Sequence, residues 1–160
     1  MKKYASLICL LLCITLLAGC AASKGNLPGK VEWKMTAAEV KETVGEDKLV
    51  ESSSAGILNQ MLTKDYAELY GERTVSLAYV FNSEDSLSSI TVQIFANDGE
   101  SIDDAIKSTR AVMEATYGVA DGEDASAHWH TKESVLSLQK VEGASGFFIV
   151  VYQPIEAHSH

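Results

Sequence analysis

VSLAYVFNSEDSLSSITVQIF, residues 75–95, decides how the rest of the chain is read. Val75, Leu77, Tyr79 and Phe81 fall on one side of an extended backbone, and Ser76 and Ala78 fall on the other. This two-residue period belongs to a half-buried strand. Asn82 to Ser86 makes a short loop. Beyond it Ile90, Val92 and Ile94 alternate with Thr91 and Gln93, as a partner strand would.

Helices are expected on both sides of this hairpin. Upstream, Thr36 and Glu39 have the Thr-x-x-Glu spacing of a capping box, and Met35 with Val40 has the spacing of a hydrophobic staple. Val40 and Val44 share a face, and Gly45 is placed to end the helix. Between Asp47 and Lys64 the pattern is weakest. Ser52-Ser53-Ser54-Ala55-Gly56 reads as loop, with a strand beginning near Met61.

Downstream, Asn97-Asp98-Gly99 is a turn signal. Ser101 and Asp104 repeat the capping spacing, and Ile102, Ala105, Ile106, Val112 and Met113 keep a helical period up to Tyr117-Gly118. An acidic loop is expected over Asp121 to Asp124, followed by strands at 125–131, 134–141 and 146–153. The last of these, Phe147 to Tyr152, is apolar on both faces and predicts a central position. The expectation is one α+β domain, an antiparallel sheet with two helices in the order α-β-β-β-α-β-β-β, arranged as two tandem αβββ units.

The N-terminal segment carries a different message. Lys2 and Lys3 precede an apolar run, Leu7 to Leu17, that ends in small residues and Cys20. The run from Tyr4 to Leu17 is too short for a membrane span, which needs roughly 20 apolar residues. Leu17-Ala18-Gly19-Cys20 resembles the lipobox of bacterial lipoproteins at every position. That resemblance implies a signal peptide over 1–19, diacylglyceryl attachment to Cys20, and acylation of the new amino terminus. Residues 20–30 then form a tether, 31–155 the domain, and 156–160 a tail. Ten extended residues reach about 35 Å and average about 17 Å as a flexible chain.

Cleavage changes the chemistry of what remains. Cys9 and Cys13 leave with the signal and Cys20 is consumed by lipid, so the domain has no thiol and no disulfide. Lys2 and Lys3 are two of the thirteen basic residues, and the signal holds none of the twenty-two acids; the mature chain carries a formal −11. Such a chain is a poor partner for nucleic acid and gains nothing from charge at an anionic bilayer. Two or more acyl chains, at about 0.8 kcal/mol per buried methylene, hold it instead. The expected address is the extracytoplasmic face of a membrane. In a two-membrane cell that means the outer one, since Ala21 is not the aspartate that resembles an inner-membrane retention signal.

The first half of the domain carries a further resemblance. Met35-Thr36, Val40 and Gly45 are followed by Leu77-x-Tyr79-x-Phe81, Leu87 and Ile90. These residues resemble the small lipoprotein of the outer-membrane β-barrel assembly machine and the tandem αβββ units of the β-lactamase-inhibitor-protein fold. The likeness spans about sixty residues and rests on capping and core positions. It implies a non-catalytic domain that binds other proteins through its sheet face or its loops. The chain differs from the first family by its second half, and from the second by its anchor and its lack of cysteines. The expected function is a membrane-anchored binding or assembly module with an envelope protein partner. An inhibitor or sensor of an extracytoplasmic enzyme is the first alternative, and an envelope enzyme with an unrecognised site the second.

The candidate chemistry is sparse. His128 and His130, at i and i+2 on a strand, point the same way and make half of a zinc or copper site. The same alternation places Trp129 with Ala127 on the core side. The remaining histidines, His158 and His160, sit in the tail. Asp98, Glu100, Asp103 and Asp104 read as acids favoured by a helix dipole. Asp121, Glu123 and Asp124 lack the alternating ligands of a calcium loop. Ser137-x-x-Lys140 lacks the companion motifs of penicillin-interacting enzymes and falls on a strand. Trp33 reads as a core plug. No catalytic residue, no metal site and no cofactor is assigned.

Overall fold

The computed structural model describes residues 27–123 and 125–155. The lipobox, residues 21–26 of the tether, and His158 and His160 of the tail lie outside that range. Helix α1 spans Ala37–Val44 and is followed by strands β1 (Val50–Glu51), β2 (Ile57–Thr63), β3 (Val75–Phe81) and β4 (Leu87–Phe95). Helix α2 spans Ile102–Tyr117 and is followed by β5 (Asp121–Glu123), β6 (Ser126–His130), β7 (Ser134–Gln139) and β8 (Phe147–Pro154). Short 3-10 turns lie at Glu46–Lys48 and Ala67–Leu69. No helix among the described residues is long and apolar enough to cross a membrane.

All eight strands form one antiparallel sheet in the order β1-β2-β3-β4-β8-β7-β6-β5. The two halves therefore meet where β4 pairs β8, with Ile90 opposite Tyr152, Val92 opposite Val150 and Ile94 opposite Phe148. All six of these side chains are buried, in one cluster with Val40 of α1 and Ala105, Ile106 and Met113 of α2. Both helices thus cover the same face of the sheet.

Local chemistry explains where the helices start and stop. Thr36 Oγ1 accepts from the Glu39 amide, and Glu39 Oε2 accepts from the Thr36 amide at 2.8 Å, closing the capping box. Two orphan donors are satisfied this way. The carboxylate of Glu39 is held below its usual pKa, first by that backbone bond. Gly45 ends α1 at φ +106°, a conformation that L side chains rarely adopt. At α2 the Ser101 side chain accepts from the Asp104 amide.

An α+β fold with two helices on an antiparallel sheet matches the reading from sequence, as does the central position of β8. The element order differs: each half has four strands, giving α-β-β-β-β-α-β-β-β-β. The additional strands are β1 and β5, at the two sheet edges, and every residue in them is exposed. Two or three solvent-facing residues leave no apolar alternation to detect, which is why 121–123 read as loop.

The face assignment predicts a contrast between the two faces of β8. Phe148→Ala removes a fully buried ring and should cost about 3–5 kcal/mol. Val151→Ala, half-buried on the opposite face, should cost about 1 kcal/mol or less. Equilibrium urea unfolding of the two variants measures the difference.

Candidate functional site

Two surfaces stand out: the sheet face that no helix covers, and a cleft where the first described residues meet the end of β8. On the open face one row runs across six strands in register, as Asn59, Ala78, Thr91, Val151, Ser137 and His128. The next row has Ser76, Gln93, Ile149 and Gln139. These side chains are small or uncharged and mostly half-buried against their neighbours. Met61 and Leu62, at the end of β2, are large apolar residues about two-thirds exposed (63% and 65%).

His128 and His130 share this open face, while Trp129 and Ala127 are buried on the other. His128 Nδ1 lies 2.9 Å from Ser137 Oγ, so one imidazole already has a neutral partner. Among the described residues no group of three or more His, Cys, Asp or Glu side chains is placed to hold a metal.

The cleft has a volume of about 880 Å³. One wall is the leading segment, residues 27–34; the others come from the Asp65–Leu69 turn, the β6–β7 turn at Lys132-Glu133, and Pro154-Ile155. Leu27 and Pro28 are buried, although the sequence places them in the tether. The segment is pinned at several points. Tyr79 Oη donates to the Pro28 carbonyl at 3.4 Å. A Cβ at Gly29 would sit 2.6 Å from that same Tyr79 oxygen, and Gly29 has φ +88°, so both space and backbone require glycine. Trp33 Nε1 donates to Ser134 Oγ at 2.9 Å. The Lys34 amide donates to the Leu87 carbonyl, and the Leu87 amide donates to the Met35 carbonyl at 2.8 Å.

Trp33 is therefore half-buried: it packs against the core cluster, as the sequence suggests, but also forms a wall of the cleft and is tied to β7. In the cleft wall, Tyr66 Oη donates to Gln60 Oε1 at 2.9 Å, and Lys48 Nζ donates to Asp65 Oδ2 at 3.0 Å. The lysine beside Asp65 holds its carboxyl below the usual range. Deeper still, the Tyr70 and Tyr152 hydroxyls hydrogen-bond at 2.8 Å, and burial pushes both phenols well above their ordinary pKa. The sequence reading singled out none of these tyrosines for a site, because single aromatics without a period look like core.

The acids read as helix-dipole residues divide. Asp103 and Asp104 stay exposed at the start of α2. Glu100 instead makes a bidentate pair with Arg73, through Nη1 and through Nη2 at 2.6 Å. Arg73 is only 2% exposed and also donates to Thr109 and Ser108 of α2. Its guanidinium holds the Glu100 carboxyl below the usual range.

No family model matches the chain, and neither a curated protein nor a solved structure matches it.

Glu100→Gln leaves a buried cation unpaired and should cost about 3 kcal/mol in urea unfolding. Because folding lowers the pKa of Glu100, the clamp contributes fully above the ordinary carboxylate range and is lost as the pH falls through and below it. The stability gap between wild type and Glu100→Gln should therefore narrow as unfolding curves are taken from neutral pH into acid.

Proposed function

We propose that the protein is a lipid-anchored lipoprotein of the cell envelope, held through Cys20 on the extracytoplasmic side of a membrane. Its α+β domain acts as a non-catalytic module that binds another envelope protein through the uncovered face of its sheet. In a two-membrane cell the address is the outer membrane.

The uncovered face carries this reading. It is continuous across both halves, and its central row of Ala78, Thr91, Val151 and Ser137 holds no charge. Protein interfaces are depleted of charged residues at their centre, and short side chains let a partner approach the sheet closely. The charge nearest in this row is Asp121 at the β5 edge, opposite His128, so a partner docking at the centre of the face meets no charged side chain in that row.

The likeness to tandem αβββ units rests on the sequence; each half of the domain has one helix followed by a run of antiparallel strands. A short outer strand is added to each. The residues that carry the resemblance sit together: the backbone of Met35 bonds that of Leu87, and Val40, Leu77, Tyr79 and Ile90 share the core.

Photo-crosslinking residues placed at Thr91 or Ser137 of the full chain in intact cells should give a discrete adduct. The same residue at Lys107, exposed on α2, should give none. Val151→Arg should abolish the adduct while leaving the melting temperature nearly unchanged. Equal labelling from position 107, or no adduct from the sheet, would remove the assignment of this face.

A further inference from the structure

The cleft is placed and furnished differently from the open face, and the chain leads into it from Cys20. Only residues 21–26 separate Cys20 from Leu27, which lines the cleft. Fully extended, that connection spans roughly 25 Å. If Cys20 is in a bilayer, this end of the domain lies near the headgroups.

The charge of the cleft differs from that of the molecule. The mature chain has twice as many acids as bases. Around the cleft stand Lys30, Lys34 and Lys132 against Glu32, Glu68 and Glu133, with Asp65 already satisfied by Lys48. None of those three lysines or three glutamates forms an ion pair with a described residue. Lys30 and Lys34 are also held at φ +57° and +72°, two of the four non-glycine residues with positive φ among the described residues. Such backbone is found where surrounding structure imposes it.

We infer that this cleft docks on phospholipid headgroups at the surface of the membrane that holds Cys20. The lysines receive the phosphates, the glutamates receive headgroup ammonium groups, and Trp33 with Ile155 sits at the water–hydrocarbon boundary. Trp and Tyr favour that boundary because one end of each ring is apolar and the other wet. Lysine stems bury along apolar surface while their charges reach phosphate level. This rests on the anchoring proposed above. It leaves the sheet for a protein partner and gives the domain a fixed attitude on the bilayer.

The test uses the full chain, processed in cells, purified in detergent and reconstituted into phosphatidylethanolamine–phosphatidylglycerol vesicles. Trp33 and Trp129 are its two tryptophans, and Trp129 is 2% exposed. Fluorescence quenched by lipid carrying a headgroup nitroxide therefore reports Trp33, and Trp33→Phe supplies the baseline. Docking predicts that this lipid quenches the Trp33 signal roughly twofold. Combined Lys30→Glu, Lys34→Glu and Lys132→Glu, all exposed positions, should abolish the quenching with the melting temperature unchanged.

Labelled palmitate on Cys20, with Cys20→Ala as control, is measured in parallel. If Cys20 takes no label, anchoring fails and this inference fails with it. If Cys20 is acylated but Trp33 is quenched only by aqueous acrylamide, docking fails and anchoring stands. Quenching that survives the three charge reversals also overturns the headgroup assignment.

Discussion

The fold depends on the pairing of β4 with β8. Each half alone would be a helix on a four-stranded sheet whose edge strand is apolar on one face in β4 and on both faces in β8. Such an edge is a template for aggregation. Joining the two edges turns both liabilities into the centre of one sheet, where Ile90, Val92 and Ile94 face Phe148, Val150 and Tyr152. The strands that become the outer edges, β1 and β5, are then two and three residues long and include Glu51, Asp121 and Glu123. Short, charged edges discourage further pairing, so the sheet ends where its sequence stops being apolar.

A second constraint locks the turn between the halves. Arg73 precedes β3, Glu100 follows β4, and Ser108 and Thr109 belong to α2. Their bonds fix the angle at which the chain leaves the first half and enters the second. A buried ion pair of this kind often adds little net stability, but breaking it is costly. Its contribution here is geometric: it ties α2, on the same face as α1, to the chain just before β3 and just after β4.

Much of this was legible in the sequence, and the pattern of success has physical reasons. The 75–95 hairpin showed itself through strict alternation, α1 through its capping box, and β8 through apolar residues on both faces. Long-range polar contacts were not legible. Nothing in the sequence marks Glu100 rather than Asp98 as the partner of Arg73, because the two meet only after the chain has turned twice. The cleft was hidden for the same reason. Its walls come from four separated segments, and Leu27 and Pro28 look like linker because burial depends on Tyr79, fifty residues away. His128 and His130 were placed on the outward face by alternation alone, as the structure has them.

The pinned leading segment has a mechanical meaning. Any pull transmitted from residue 20 reaches the domain at Leu27, beside the end of β8, and meets fastenings to both halves in turn. Pro28 is held by Tyr79 of β3, Trp33 by Ser134 of β7, and Lys34 and Met35 by Leu87 of β4. Load is therefore shared across the seam between the halves rather than concentrated on α1, whose eight residues would unravel first. A domain strapped in this way can be pulled at residue 27 without losing the registration of the sheet behind it.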